Sequence, residues 1–229
     1  MNFTHLELQR IYQKIKDFCA NIYIYMSISF STDLKDAVNA VKSGVPIVLV
    51  DQEDREFEGD LVLAAEKVNF FNLQFLFLHG RGLMCLPCNQ EKLNQFDIPL
   101  QHSNGNDSFA TPFATGIDAA RGVTTGMSLD DRLITINTFV SNDAKPEDLS
   151  QPGHLFPLRA SKNLLQDRQG HTEGTVELMK LAKLEEVGII IEMMDWQGQM
   201  VKGEALEKFA RLYNLPYISI DQIKNAVYN

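Results

Sequence analysis

The ten residues from Asp51 to Asp60 read Asp-Gln-Glu-Asp-Arg-Glu-Phe-Glu-Gly-Asp, and six of them are acids. This run is bracketed by two apolar segments. Val45 to Val50 precedes it as a short strand rich in Val and Ile, and Leu61 to Val68 follows as a second strand. The chain must therefore bring two buried strands up to one densely charged loop, a usual place for a site in an α/β protein. One reading is a solvated acidic turn, the common fate of a charge run. The other gives weight to Arg55 embedded among the acids and to Gly59, which lets the backbone turn where a β-carbon would obstruct. Hard divalent cations prefer carboxylate oxygens, so the loop is a candidate metal site.

The same alternation continues along the chain. Leu34, Ala37, Val38 and Val41 form a helix face, with Asp33 as N-cap and Gly44 as a stop. Residues 70–79 read as an apolar helix, 83–86 as a short strand, 91–98 as a helix, 102–108 as a loop and 113–119 as a strand. Ser128 and Asp131 resemble a capping box, ahead of a helix faced by Leu129, Leu133, Ile136 and Val140. Residues 141–153 read as a polar loop. A helix with Val176, Met179 and Lys183 along one side begins near Thr172. A buried strand follows at 187–194, then a hairpin turn at 195–198, a helix around Leu206 to Tyr213 and a last strand at 217–220. No stretch reads as a linker or an internal repeat. This predicts an α+β fold: a single-domain layered α/β sandwich with a mixed sheet flanked by helices. Residues 1–25 stand apart as an N-terminal extension, one amphipathic helix carrying Leu8, Ile11, Tyr12, Ile15, Phe18 and Cys19. Met26 is an alternative start, and 26–229 forms the body.

Composition narrows the partners. A net charge of −9 with no basic patch argues against nucleic acid. It leaves room for an anionic substrate held by a few local cations. Three cysteines, an odd number, do not make a disulfide framework and suit a reducing cytoplasm. No apolar run approaches the roughly 18 residues a membrane span needs, and the N-terminus lacks the pattern of a signal peptide.

Further segments carry chemistry. Gly170-His-Thr-Glu173 opens a helix that Thr172 can cap, and free first-turn amides suit a phosphate, with Arg168 close by in sequence. His171 there suits metal or acid–base work, or is an exposed histidine at a plain helix start. His154 follows the sharp Pro152-Gly153 turn. Glu192 ends a run of three isoleucines, where a carboxylate must be paired, metal-bound or exposed. Cys85-Leu-Pro-Cys88 lacks the second pair of a zinc site and sits at a strand end, so a buried or site-lining thiol is favoured over redox.

Taken together, these motifs resemble the 3,4-dihydroxy-2-butanone 4-phosphate synthase family of riboflavin biosynthesis. The resemblance runs from about Asp33 to Ile223. It rests on Asp51 to Asp60, Gly82-Leu-Met-Cys85, Gly122-Val-Thr-Thr-Gly126 with Asp131-Arg132, Pro152-Gly-His154-Leu-Phe-Pro-Leu-Arg159, Arg168-Gln-Gly-His-Thr-Glu173 and Glu192, in family order. It implies a lyase that converts ribulose 5-phosphate to the four-carbon ketone phosphate and formate, using Mg²⁺ (or Mn²⁺), two ions per site, as a cytoplasmic homodimer with sites near the interface. It implies Glu56 and His171 as metal ligands. Arg55, Asp60, Arg168, Gly170 and Thr172 would hold the substrate and its phosphate, and Thr125 would line the site. His154 and Glu192 would be the acid–base pair, supported by Glu58, Asp51 and Cys85. The chain departs from the family pattern at Gln52, usually an acid, at Phe57, usually asparagine, at Gln151, usually arginine, and at Ile134, usually threonine. Two other readings compete with the enzyme: a non-catalytic relative that binds sugar phosphate or a partner, and a paralogue acting on another sugar phosphate.

Overall fold

The computed structural model describes residues 29–52, 55, 57–102 and 111–229. The helix expected over residues 1–25, most of the 102–108 loop and Glu56 lie outside the described residues. Among the described residues, seven strands form one mixed sheet in the order β4-β5-β3-β6-β2-β1-β7. They are β1 (Ile47–Val50), β2 (Gly59–Ala64), β3 (Arg81–Cys88), β4 (Ile117–Ala119), β5 (Leu149–Arg159), β6 (Gly188–Met193) and β7 (Tyr217–Ser219). The β1/β2, β2/β6, β3/β6 and β4/β5 pairs are antiparallel, while β1/β7 and β3/β5 are parallel.

Helices α1 (Leu34–Lys42), α2 (Phe70–His79), α3 (Gln90–Gln95), α4 (Leu129–Val140), α5 (His171–Ala182), α6 (Glu204–Leu212) and α7 (Ile220–Tyr228) flank the sheet. Successive side chains of a strand point to opposite faces, and β6 shows both layers. Gly188 abuts Thr175 of α5, whereas Ile191 packs at Gly80, beside the end of α2. α1 and α7 pack on α5, and α4 packs on α2. The expected layered α+β sandwich is therefore what forms, and β1 is wholly apolar and buried because helices cover it.

Several local expectations change. The strand expected at 61–68 runs from Gly59 to Ala64 and gives way to a 3₁₀ turn at Ala65–Lys67. β3 extends from Arg81 to Cys88, so Cys85 lies inside a strand rather than at its end. The loop expected through residue 153 stops at Asp148, because Leu149 pairs with Ala119 to start β5. α5 has no single buried side. Every residue from His171 to Met179 is buried, since α1 and α7 cover what would otherwise face water. Its two buried acids are partnered: Glu173 accepts from Arg168, and Glu177 accepts from the Tyr228 hydroxyl of α7 at 2.6 Å. α7 itself was not expected from the sequence. Its N-cap Ser219 and Gln222 form a reciprocal capping box that starts it directly after β7. Among the described residues, no helix is long and apolar enough to cross a membrane.

Candidate active site

The ends of β2, β3 and β6 meet the first turn of α5 around a cavity of about 190 Å³. Its lining includes Arg55, Glu58, Asp60, Cys85, Thr111, Arg168, His171, Thr172 and Glu192. Sheet register explains the convergence. Asp60 stands directly opposite Glu192 across the β2/β6 pair, and Cys85 stands opposite Ile190 across β3/β6. Residues from three distant segments are thus held on neighbouring strands, facing α5.

Each side chain is fixed by local geometry. Asp51, at the end of β1, has a fully buried carboxylate that accepts from Arg55 Nη1 at 2.7 Å and from the Glu58 amide at 2.9 Å. It shapes the acidic loop from below and does not line the cavity. Glu58 pairs with Lys202 at 3.3 Å. The loop has two further attachments. Gln52 donates its amide to Asp221 of α7 at 2.7 Å. Phe57, at φ 52°, lays its ring against Gly203, where an added Cβ would stand 3.1 Å from the ring.

Glu192 Oε2 accepts from the Leu83 amide at 2.6 Å, and Gly82 makes this approach possible, since a Cβ there would lie 2.3 Å from that oxygen. Burial, reinforced by the carboxylates of Glu192 and Asp60, pushes the Cys85 thiol well above its usual range. It stays protonated, so its part is that of a neutral lining group and not a thiolate nucleophile. Burial likewise raises Cys88, and both cysteines are free.

At the helix end the N-cap is Gly170, and no side chain caps α5. Thr172 lies inside the helix and is not the cap the sequence suggested. An uncapped first turn presents backbone amides and the positive end of the helix dipole, the usual setting for a phosphate. Arg168 stands over it, donating to Glu173 Oε2 at 2.7 Å and to Thr111 Oγ1 at 2.8 Å. Glu173 and Thr111 were missed by sequence reasoning, because a buried ion pair formed across a turn leaves no periodic trace.

His171 Nδ1 lies 4.0 Å from Asp60 Oδ2, and both side chains are buried. Carboxylate and imidazole donors fit a hard divalent cation. Among the described residues no three of His, Cys, Asp or Glu gather at metal-ligating distance. A magnesium site does not require such a cluster, because the ion is commonly held by one or two protein ligands with substrate oxygens and water completing its shell.

His154 and Thr125 do not line the cavity. His154 is on β5, two residues before Phe156, which pairs with Cys85 of β3. Its Nδ1 lies 2.7 Å from Asp118 Oδ2. Thr125 belongs to a turn gathered by Asp131, whose carboxylate accepts from the amides of Thr124, Thr125 and Gly126 and from the Thr124 hydroxyl. These bonds hold Asp131 down at about 2, led by the Thr124 amide and hydroxyl. Ser128 does cap α4 at the Asp131 amide, but the Asp131 side chain turns to the 124–126 loop instead of completing the box.

The fold and cavity define an acid-rich sugar-phosphate type of site: carboxylates and imidazole at sheet ends, and an arginine with a helix N-terminus for an anion. Comparison with known proteins specifies it. A sequence model of 3,4-dihydroxy-2-butanone 4-phosphate synthase matches residues 35–226. The 3,4-dihydroxy-2-butanone 4-phosphate synthase of Erwinia tasmaniensis is 39% identical over 187 residues, 82% of this chain and 86% of that one. A solved structure of such a synthase in complex with two magnesium ions superposes with a TM-score of 0.81 at 32% identity, covering 86% of this chain and 97% of that one. A two-domain synthase from A. baumannii aligns with a TM-score of 0.79 at 36% identity, covering 82% of this chain and 56% of that longer one. The chain belongs to the 3,4-dihydroxy-2-butanone 4-phosphate synthase family.

Proposed function

We infer that this chain is a magnesium-dependent lyase that converts ribulose 5-phosphate to 3,4-dihydroxy-2-butanone 4-phosphate and formate, a step of riboflavin biosynthesis. The observation that carries the reading is the convergence of Arg55, Glu58, Asp60, Arg168, His171, Thr172 and Glu192 on one cavity at the α5 N-terminus, in a chain of this family. The phosphate would sit at the α5 amides beneath Arg168. The carbon chain would run across the sheet toward β5, where His154 stands. Glu56 and His171 would hold Mg²⁺, with two ions per site, a reading supported by the related structure in complex with two magnesium ions, and with Asp60 and Arg55 oriented toward substrate oxygens. When bound, the cation acidifies coordinated hydroxyls and stabilises negative charge on neighbouring oxygens.

The protein's own groups account for the rest. Enolisation, loss of water, a carbon-skeleton shift and hydrolytic release of C4 need groups that both accept and return protons. Glu192 is positioned for this by the Leu83 amide, which fixes one carboxylate oxygen. His154, held by Asp118, is the second such group. The reading includes a homodimer with sites near the interface, which light scattering tests. Ribulose 5-phosphate incubated with the purified protein and Mg²⁺ should yield formate by NMR, and a chelator should stop it. Glu56→Gln or His171→Ala should abolish release, with excess Mg²⁺ failing to restore it fully. Wild-type-like turnover in either variant at ordinary Mg²⁺ overturns the metal assignment. Substrate binding without formate would establish the non-catalytic reading.

A further inference from the structure

We propose that Asp118 is a positioning residue for His154, setting the tautomer in which the ring presents Nε2 to the substrate. The inference rests on the acid–base role given to His154 above. Asp118 lies on β4 and makes two contacts with His154: Oδ1 accepts from the main-chain amide at 3.1 Å and Oδ2 meets ring Nδ1 at 2.7 Å. An ionised carboxylate only accepts, so Nδ1 must carry the proton and Nε2 is left as the ring's acceptor. The Asp118 side chain is 13% exposed and the His154 side chain 44%. The carboxylate is therefore enclosed, while the ring keeps an open edge.

The surroundings are built for this contact. A Cβ on Gly126 would lie 2.3 Å from Asp118 Oδ2, so the turn closes directly on the carboxylate. That turn is the one Asp131 gathers through three amides. A Cβ on Gly153 would lie 2.3 Å from the Asp118 amide, so β5 approaches β4 backbone to backbone at the residue before His154. Arg132 of α4 lies close enough to interact electrostatically with Asp118. Two glycines, one acid-organised turn and one arginine thus converge on a carboxylate whose outward partner is His154.

Asp118→Asn tests the proposal. Its carbonyl oxygen can still accept the His154 amide, while its NH₂ faces Nδ1 and selects the opposite tautomer. We expect turnover to fall about 10- to 100-fold, within the range of a misdirected acid–base group, with KM within about threefold. In the His154→Asn background the same change should have no further effect, because both act through one ring. Nitrogen NMR of the imidazoles, with the His154 signal identified by its loss in His154→Asn, should show the proton on Nδ1 in wild type and on Nε2 in Asp118→Asn. Turnover within twofold of wild type, an unchanged tautomer, or an additive loss in the double variant overturns the proposal. If His154→Asn itself leaves turnover intact, the acid–base role of His154 fails and the catalytic consequence with it. The NMR tautomer then decides separately whether Asp118 sets the ring.

Discussion

Phe57 holds a backbone conformation that its side chain disfavours. At φ 52° it occupies the left-handed region, which costs an L-residue roughly 1–2 kcal/mol, and asparagine is among the residues that tolerate it best. The ring recovers part of that cost by packing on Gly203. Full burial of a phenylalanine stabilises by about 1.5–3 kcal/mol. Phe57 is half-buried, so its packing contributes roughly half of that. The two effects of Phe57→Asn therefore oppose each other and nearly cancel. Its melting temperature should stay within about 3 °C of wild type, on a scale of roughly 2–4 °C per kcal/mol for a chain of this size. Asparagine also restores an amide between Glu56 and Glu58. One net hydrogen bond of about 0.5–1.5 kcal/mol raises the competent loop population several-fold, and turnover should rise accordingly. Formate release at saturating substrate and Mg²⁺, run beside thermal melts, measures both quantities. Unchanged or lower turnover refutes the role given to the amide, and a melt lowered by more than about 5 °C shows that the ring's packing outweighs the backbone strain.

Two further perturbations act on specific contacts of the fold. Gln52→Asp places a second carboxylate against Asp221, where the wild-type contact is 2.7 Å. Like charges about 4 Å apart repel by roughly 1–4 kcal/mol between bulk-water and surface dielectrics, so the variant should melt lower and Asp221→Asn should rescue it. A double variant as unstable as the single one rules out the repulsion. Asp131 is held at about 2, against an ordinary 3.8. A depressed carboxylate contributes stability that is present above its unfolded value and lost as pH falls through the folded one. Wild type should therefore lose melting temperature from about pH 4 down to about pH 2 more steeply than Asp131→Asn. Equal slopes in that window would show that the 124–126 turn does not depend on the charge.

Much of this was legible in the chain because the decisive residues sit beside strong local signals. The acidic loop follows an unmistakable apolar strand, and Glu192 ends an isoleucine run, so both stand out in the sequence. The hidden parts share a physical cause. Asp118 is one acid in a short strand, and only strand pairing brings it to His154. α5 reads as amphipathic because its buried acids look like a solvent face, yet Glu173 and Glu177 are satisfied by Arg168 and Tyr228 from other segments. The first part of β5 reads as a loop because Pro152 and Gly153 imitate one, whereas Gly153 is there to let two backbones touch. At Phe57 the sequence showed a missing amide but not the left-handed backbone that makes asparagine the comfortable choice.

The sheet order has a consequence for how the protein is made. β6 lies between β3 and β2, and all three carry cavity residues, but β6 ends only at Met193. During synthesis the edges of β2 and β3 that will receive it emerge long before it does. Unpaired apolar edges are templates for association with other chains, and pairings so distant in sequence form slowly. A ribosome stalled before residue 188 would hold a chain with two open edges and a cavity lacking Ile190 and Glu192. The sheet and the cavity close together only when the strand bearing Glu192 arrives, so this one late strand completes both the fold and the site.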